Sequence, residues 1–309
     1  MPSPNPCDVS IILVHYRTEN LLANCLERLY RGLQKSGRTH EVFVVDNGSA
    51  PEKMQPVRKS FPQAHWIANA QNKGFAKAAN QGLQTAQGKY CLLLNPDCLV
   101  SQDTVGLLTA AMEENPRVGI AGGRHVFPDG RLQPSARTFP TLWNVFTDQL
   151  LLNKLFPHSP LFNAYRMGGW KHDTKREVDQ LMGSCLMLRR AMLDRIGCMD
   201  ERFFLYFEEV DLCRRAKEAG WKIMFFPDPR MQVLHEGGAS SKQNLRDRTI
   251  HRHQSLCLWL RKYSTPPQVG LAKIFILKGL CLRLLAYALS GKKDLFRAHA
   301  AALKQWSDW

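Results

Sequence analysis

Apolar positions along the first third of the chain change period several times. Residues 9–15 form a continuous apolar run rich in β-branched side chains, the pattern of a strand covered on both faces. Leu21, Leu22, Cys25, Leu26, Leu29 and Leu33 then recur at helical spacing. A second strand over residues 41–45 stops at Asp46-Asn47-Gly48-Ser49, a turn sequence. The pattern continues with a short helix over 54–60, a third strand over 65–68 and a helix from Asn72, its candidate cap, to Gly88. Residues 90–94 form the fourth strand, ended by Asn95-Pro96-Asp97, and a further helix is expected from Thr104. This β-α-β-α-β-α-β order predicts an α/β fold with a doubly wound, mostly parallel central sheet. Such sheets bind ligands beyond the carboxyl ends of their strands, where Asp46 and Asn95-Pro96-Asp97 both fall.

Composition narrows the class only a little. With 44% apolar and 22% charged residues, the 309-residue chain is globular rather than disordered, collagenous or coiled-coil. Its nine cysteines are odd in number and scattered, with no C-x-x-C pair, which fits a reducing compartment better than a disulfide framework. The segment before Asp8 is polar and Pro-rich, with neither the basic nor the apolar region of a signal peptide, so a cytoplasmic location is expected.

Charge divides the chain more sharply. Residues 242–309 hold 13 Lys and Arg and three acids, a net of +10, so only +5 of the total +15 belongs to residues 1–241. The expected organisation is a nearly balanced body over 1–241 and a basic, amphipathic helical extension over 242–309. Within the extension, residues 268–290 are strongly apolar but interrupted by Lys273, Lys278 and Arg283. A spanning helix would carry those charges at about 2.5 to 3.5 kcal/mol each near the bilayer centre. Two cheaper placements remain open: packing on the body, or lying in a membrane interface with the basic side chains snorkelling.

A nicotinamide-binding domain would need a Gly-rich turn after the first strand, but residues 15–20 contain no glycine, and no Walker lysine loop occurs. The ordered motifs instead resemble those of the inverting family 2 glycosyltransferases, most closely rhamnosyltransferases of bacterial surface polysaccharide synthesis. The resemblance rests on residues 10–14, Val44-Val45-Asp46-Asn47-Gly48-Ser49, residues 72–80, Leu92-Leu93-Leu94-Asn95-Pro96-Asp97, residues 183–190, and residues 200–215 followed by Gly220-Trp221 and His235. It spans about residues 9–240 in the family's order and implies a GT-A fold: a Rossmann-like nucleotide-binding half, an acceptor half and, here, the C-terminal helical extension.

Transfer from a nucleoside-diphosphate sugar needs a base pocket, a cation for the departing diphosphate, a general base and an acceptor site. The resemblance implies that Asp46 contacts the nucleotide base, and that Asn72, Gly74 and Asn80 belong to a donor-side loop and helix. Lys73 and Lys77 oppose the helix dipole unless an anion lies nearby. Asn95-Pro96-Asp97 stands where the family carries its metal motif. Asp97 and His235 are therefore the expected ligands of Mg²⁺ or Mn²⁺, with Asn95 serving the ribose or a metal-bound water. Three acids open a helix at 208–211, of which Asp211 is spaced to pair with Arg215. That leaves Glu209 as the candidate general base, where the family commonly has Asp, and Glu208 as the second candidate. Gly183 and Ser184 are expected to line the sugar or acceptor pocket, and Arg124, Arg137 and the Trp170 region lie between the halves.

The expected donor is dTDP-rhamnose, with a UDP-sugar as the alternative, and the expected acceptor is lipid-linked or a glycan at the inner face of the plasma membrane. A nucleic-acid-binding protein using the basic tail, with Trp259 and Tyr263, is the competing class. It has no recognisable nucleic-acid module in its support. A non-catalytic binding protein on the same fold would have no use for acids at Asp97, Glu208 and Glu209.

Overall fold

The computed structural model describes residues 7–237 and 244–309. The expected boundary after residue 241 lies outside the described residues. The strands are β1 (Val9–His15), β2 (His40–Asp46), β3 (His65–Ala68), β4 (Tyr90–Leu94), β5 (Cys98–Val100), β6 (Val118–Gly123) and β7 (His125–Val126). They continue with β8 (Leu132–Gln133), β9 (Ala136–Arg137), β10 (Arg176–Glu177), β11 (Gln180–Leu181), β12 (Cys185–Arg189), β13 (Lys222–Phe226) and β14 (Val233–His235).

An eight-stranded sheet runs in the order β10-β13-β6-β12-β4-β1-β2-β3. Strands β4, β1, β2 and β3 are parallel neighbours, as the alternating pattern predicts, and β12 enters antiparallel between β4 and β6. The apolar runs of β1 and β4 are buried because helices cover both faces of the sheet. Helices α1 (Glu19–Ser36), α2 (Pro51–Ser60) and α4 (Thr104–Glu114) lie in one apolar layer, and α3 (Phe75–Thr85) in the other.

Several boundaries differ from the sequence reading: α2 starts at Pro51 rather than at 54, and α3 ends at Thr85 rather than at Gly88. Helix α3 starts at Phe75 with Gly74 as its cap, because Asn72 turns its Oδ1 onto the Gly74 amide at 2.9 Å and onto Asn47 instead of onto the helix. Strand β14 starts only at Val233, since Pro229–Met231 closes as a 3₁₀ turn capped by Asp228.

After α5 (Leu142–Gln149), α6 (Leu152–Leu155), α7 (Arg190–Ile196) and α8 (Glu208–Glu218), the chain ends in three helices. These are α9 (Leu245–Tyr263), α10 (Pro266–Leu289) and α11 (Lys293–Lys304), and they share a third core built around Trp259 with Phe203 and Val210. The buried Asp211 of α8 makes the predicted pair with Arg215 Nε at 2.8 Å and also accepts from Lys262 Nζ and Tyr263 Oη of α9. Burying one carboxylate is tolerated because three donors surround it. The apolar segment 268–290 packs on the body through Ala272, Ile276, Gly279 and Leu280 while leaving Leu271, Ile274, Leu282, Leu285 and Leu289 exposed. No helix among the described residues is long and apolar enough to cross a membrane. All nine cysteines are free thiols, and most are buried.

Candidate active site at the carboxyl edge of the sheet

Parallel strands that start at one edge finish together at the other. Register pairs His15 with Asp46, and β4 runs beside β1 to Leu94, so His15, Asp46 and Asn95-Pro96-Asp97 open onto the same edge. The turn after β2 is tied by Asp46, whose Oδ1 accepts from the Ser49 amide at 3.0 Å and whose Oδ2 lies 3.6 Å from Arg58. Asn47 knots this turn to the next loop. It donates to Asn72 Oδ1 and Gly74 O, and accepts from Asn69 and from the Lys73 amide. Gly74 has φ of +85°, and a Cβ there would stand 2.6 Å from Phe204 O, so only glycine lets the 69–74 loop meet the 200–207 segment. Asn80 is buried with both amide ends engaged, by the backbone of Met199 and by Glu201. It therefore clamps α3 to the segment leading into α8, and its place is behind the loop.

The strand-end turn and β14 create the second feature. Antiparallel pairing puts His235 opposite Cys98, the residue after Asp97. Asp97 Oδ1 lies 3.5 Å from His235 Nε2, and both side chains are buried. On the far side of the ring, His235 Nδ1 donates to Gln133 Oε1 at 2.9 Å. With the proton held there, Nε2 presents its lone pair towards a carboxylate oxygen, an arrangement that suits a cation shared by the two. Cys98 completes a cluster whose candidate ligand atoms lie within 4.8 Å of one another. Its thiol donates to Ser184 O, and burial pushes its pKa well above the ordinary value. A neutral thiol is a poor ligand for a hard cation, so the donor set that fits Mg²⁺ or Mn²⁺ is Asp97 with His235.

The third feature is the start of α8. Tyr206 and Phe207 both have positive φ, 69° and 68°, although neither is glycine. Each such residue costs about 1–3 kcal/mol, and this strain is held where Glu208 and Glu209 begin the helix. Glu208 is buried and Glu209 half-buried, and Oε2 of each has no hydrogen-bond partner among the described residues. Burial raises both carboxyl pKa values, that of Glu208 well above the ordinary 4.5, with the neighbouring Glu209 adding to it. The Arg137 charge works the other way on Glu209.

Gly183 and Ser184 join these features. A Cβ on Gly183 would meet Glu209 Cβ and Cγ at 3.3 Å, so this glycine gives Glu209 its room. One residue later, Ser184 O accepts from the Asn95 amide at 2.8 Å and from Cys98, and Ser184 Oγ bonds His125 Nε2 at 2.9 Å. Gly183-Ser184 thus connects Glu209 to the turn that carries Asp97. Of the residues singled out in the sequence, Asp97, His235, Asn95, Gly183, Ser184, Glu208 and Glu209 converge here, while Asp46, Asn72 and Gly74 form the adjoining loop wall.

Sequence reasoning missed Gln133, His125 and Asn47. Gln133 is 102 residues from the histidine it holds, so no local pattern could reveal it. Asn47 stood in view as a turn residue; its role appears only when the 69–74 loop folds against it.

Residues 10–197 match Glycosyl transferase family 2. An N-acetylglucosaminyl-diphospho-decaprenol L-rhamnosyltransferase of Mycobacterium tuberculosis is 29% identical over 247 residues, covering 76% of this chain and 79% of the relative. The rhamnosyltransferase WbbL of Escherichia coli is 24% identical over 230 residues, with 71% and 80% coverage. Among solved structures, S. aureus TarS 1-349 aligns over 97% of this chain and 91% of its own at 17% identity with a TM-score of 0.51. A Pyrobaculum calidifontis mannosyltransferase solved with GDP-Man and Mn²⁺ aligns over 97% and 84% at 14% identity with a TM-score of 0.54. These likenesses establish the GT-A type fold, and the family match extends through the β2, β4 and β12 features of the site. The chain belongs to the family 2 glycosyltransferases.

Proposed function

We propose that this glycosyltransferase moves a rhamnosyl group from dTDP-rhamnose, with inversion, to a hydroxyl of a lipid-linked or polysaccharide acceptor in cell-surface glycan synthesis. The observation that carries this reading is the packing of Glu209 against Gly183, whose neighbour Ser184 is hydrogen-bonded to the Asn95 amide and the Cys98 thiol on either side of Asp97, itself paired with His235. The sugar and acceptor classes are supported by what the two rhamnosyltransferase relatives are named for.

Asp46 accepts from the nucleotide base at the end of β2, beside the loop wall formed by Asn72 and Gly74, which Asn80 braces. Asp97 and His235 would hold Mg²⁺ or Mn²⁺, which would supply charge neutralisation for the departing diphosphate, and Asn95 would serve the ribose or a metal-bound water. Glu209 takes the proton of the acceptor hydroxyl as that oxygen bonds the anomeric carbon, and the nucleoside diphosphate leaves from the opposite face. One displacement inverts the centre. The raised pKa brings the carboxylate closer to the proton it must accept, which favours Glu209 as a base near neutral pH. Glu208, still more strongly raised, stays protonated to higher pH and is the second candidate. Peripheral attachment to the inner face of the plasma membrane, through the extension over 242–309, is supported by its net +10 and by the exposed apolar side of α10.

A panel of dTDP- and UDP-sugars with Mg²⁺ or Mn²⁺, read by nucleoside-diphosphate release, tests the donor. Release is expected with dTDP-rhamnose and to stop on chelation. Turnover confined to UDP-sugars would replace the donor, and turnover undiminished by chelator would remove the cation from the mechanism.

A further inference from the structure

A second charged cluster lies away from the strand ends and takes no part in the chemistry above. Asp148, near the end of α5, accepts from Asn153 Nδ2 at 2.8 Å and from Arg166 at 3.1 Å through Oδ1. Its Oδ2 lies 3.8 Å from Arg252 of α9 and 3.9 Å from Arg283 of α10. Three guanidinium groups from separate parts of the chain thus converge on one carboxylate. Lys154 of α6 adds a fourth cation, and its pKa is lowered by burial and by the Arg283 charge. Arg283 is committed to structure, since it also donates to the backbone of Asp148, Gln149 and Gly279. Arg166 and Arg252 are not so enclosed, with side chains 33% and 57% exposed. Positive charge left in excess around a single carboxylate calls for an anion with several acceptor oxygens.

Two neighbourhoods give this cluster a direction. Arg137 and Arg166 lie over the same Tyr165 ring, at 5.5 and 5.9 Å. Arg137 acts electrostatically on Glu209 at one end and on Asp148 at the other, so the cluster is linked to the base candidate through one aromatic ring. On its outer side, α6 and the turn after it expose Leu155 and Phe156, and α10 exposes Leu282 and Leu285 on either side of Arg283.

We propose that Arg166, Arg252 and Lys154 bind the phosphate or diphosphate of a lipid-linked acceptor. Its hydrocarbon lies along the exposed apolar side chains of α6 and α10, and its sugar spans the Tyr165–Arg137 step to Glu209. The proposal rests on the lipid-linked reading of the acceptor and gives it an address: cations outside, aromatic ring between, base within. Anionic phospholipid head groups offer the same phosphate chemistry, so the test separates the two sources.

The full chain is titrated in neutral detergent micelles, with chelator to keep diphosphate off the Asp97–His235 pair, using farnesyl diphosphate and farnesol as probes. Farnesyl diphosphate binds the wild type more tightly than farnesol. The Lys154→Gln/Arg252→Gln variant, whose side chains are exposed enough to change without disturbing the core, loses about tenfold or more of that affinity and none for farnesol. Arg166→Gln alone weakens the same probe in the same direction. Equal wild-type affinity for the two probes would overturn the proposal. So would a double variant that binds phosphatidylglycerol vesicles less well but farnesyl diphosphate unchanged, which would make the cluster a membrane contact. A wild type that binds farnesyl diphosphate through these residues yet never glycosylates a lipid-linked acceptor would refute the acceptor reading and leave the phosphate site standing.

Discussion

Glu209 and His235 owe their placement to neighbouring residues. Gly183 leaves the space Glu209 occupies, and Tyr206 and Phe207 hold a left-handed backbone that starts α8 at the acids. Gln133 fixes the His235 ring by accepting a hydrogen bond from its Nδ1–H, which leaves Nε2 facing Asp97. Second partners of this kind are worth about 10- to 100-fold in metal affinity. Gln133→Leu is therefore expected to weaken Mn²⁺ binding by about that factor with the fold intact, measured by calorimetry, and unchanged affinity would dismiss the assignment. At this scale the positions of the candidate residues were legible where motif and strand end coincide, as at Asp46 and Asp97, and where acids open a helix, as at Glu209. The sequence was silent where the partner is remote in the chain, as for Gln133, and where strain replaces a glycine, as at Tyr206-Phe207. Asn80 shows the converse: its place in a motif is plain, but its bonds to Met199 and Glu201 make it a brace.

Among the elements, the strands of the first half were the most readable, because burial on both faces forces continuous apolar runs. Helix α3 was misjudged at its start because an Asn before a helix can cap it or turn onto its own loop, and Asn47 decides for the loop. The C-terminal helices combine two roles. Lys262 and Tyr263 of α9 bind the buried Asp211 of α8, so part of the basic excess neutralises acids of the catalytic body. Helix α10 packs by one side and leaves the other apolar, which is the two-sided pattern that the interrupting Lys273, Lys278 and Arg283 leave open in the sequence. Leu285→Ser/Leu289→Ser, both at exposed positions, is expected to lower binding to phosphatidylglycerol vesicles about tenfold or more without loss of thermal stability. Sedimentation with vesicles measures it, and undiminished binding would assign α10's outer face another purpose.

For the molecule as a whole, the sheet brings Asp46 and Asn95-Pro96-Asp97 to its carboxyl edge, and β14 carries His235 back beside Asp97. The net charge of +15 is spread unevenly. Lys262 and Arg283 are absorbed into contacts with the body, while Arg252 and Lys154 stand at a phosphate-sized cluster. Fold class and the outline of the active site were therefore legible from pattern and motif, whereas the route from that cluster to the base, through Tyr165 and Arg137, exists only in three dimensions. The central claim is that Glu209 removes the acceptor proton beside a cation held by Asp97 and His235. The most direct test is the pH profile of turnover for the wild type and Glu209→Gln, with cation and donor saturating. A base must be ionised, so wild-type turnover should rise with pH through a midpoint above the ordinary carboxyl value of 4.5, because burial raises the Glu209 pKa. Glu209→Gln should lose about 10²- to 10⁴-fold in turnover, together with that rise, while Mn²⁺ affinity is unchanged. A variant that keeps near wild-type turnover and the same pH profile would contradict the account.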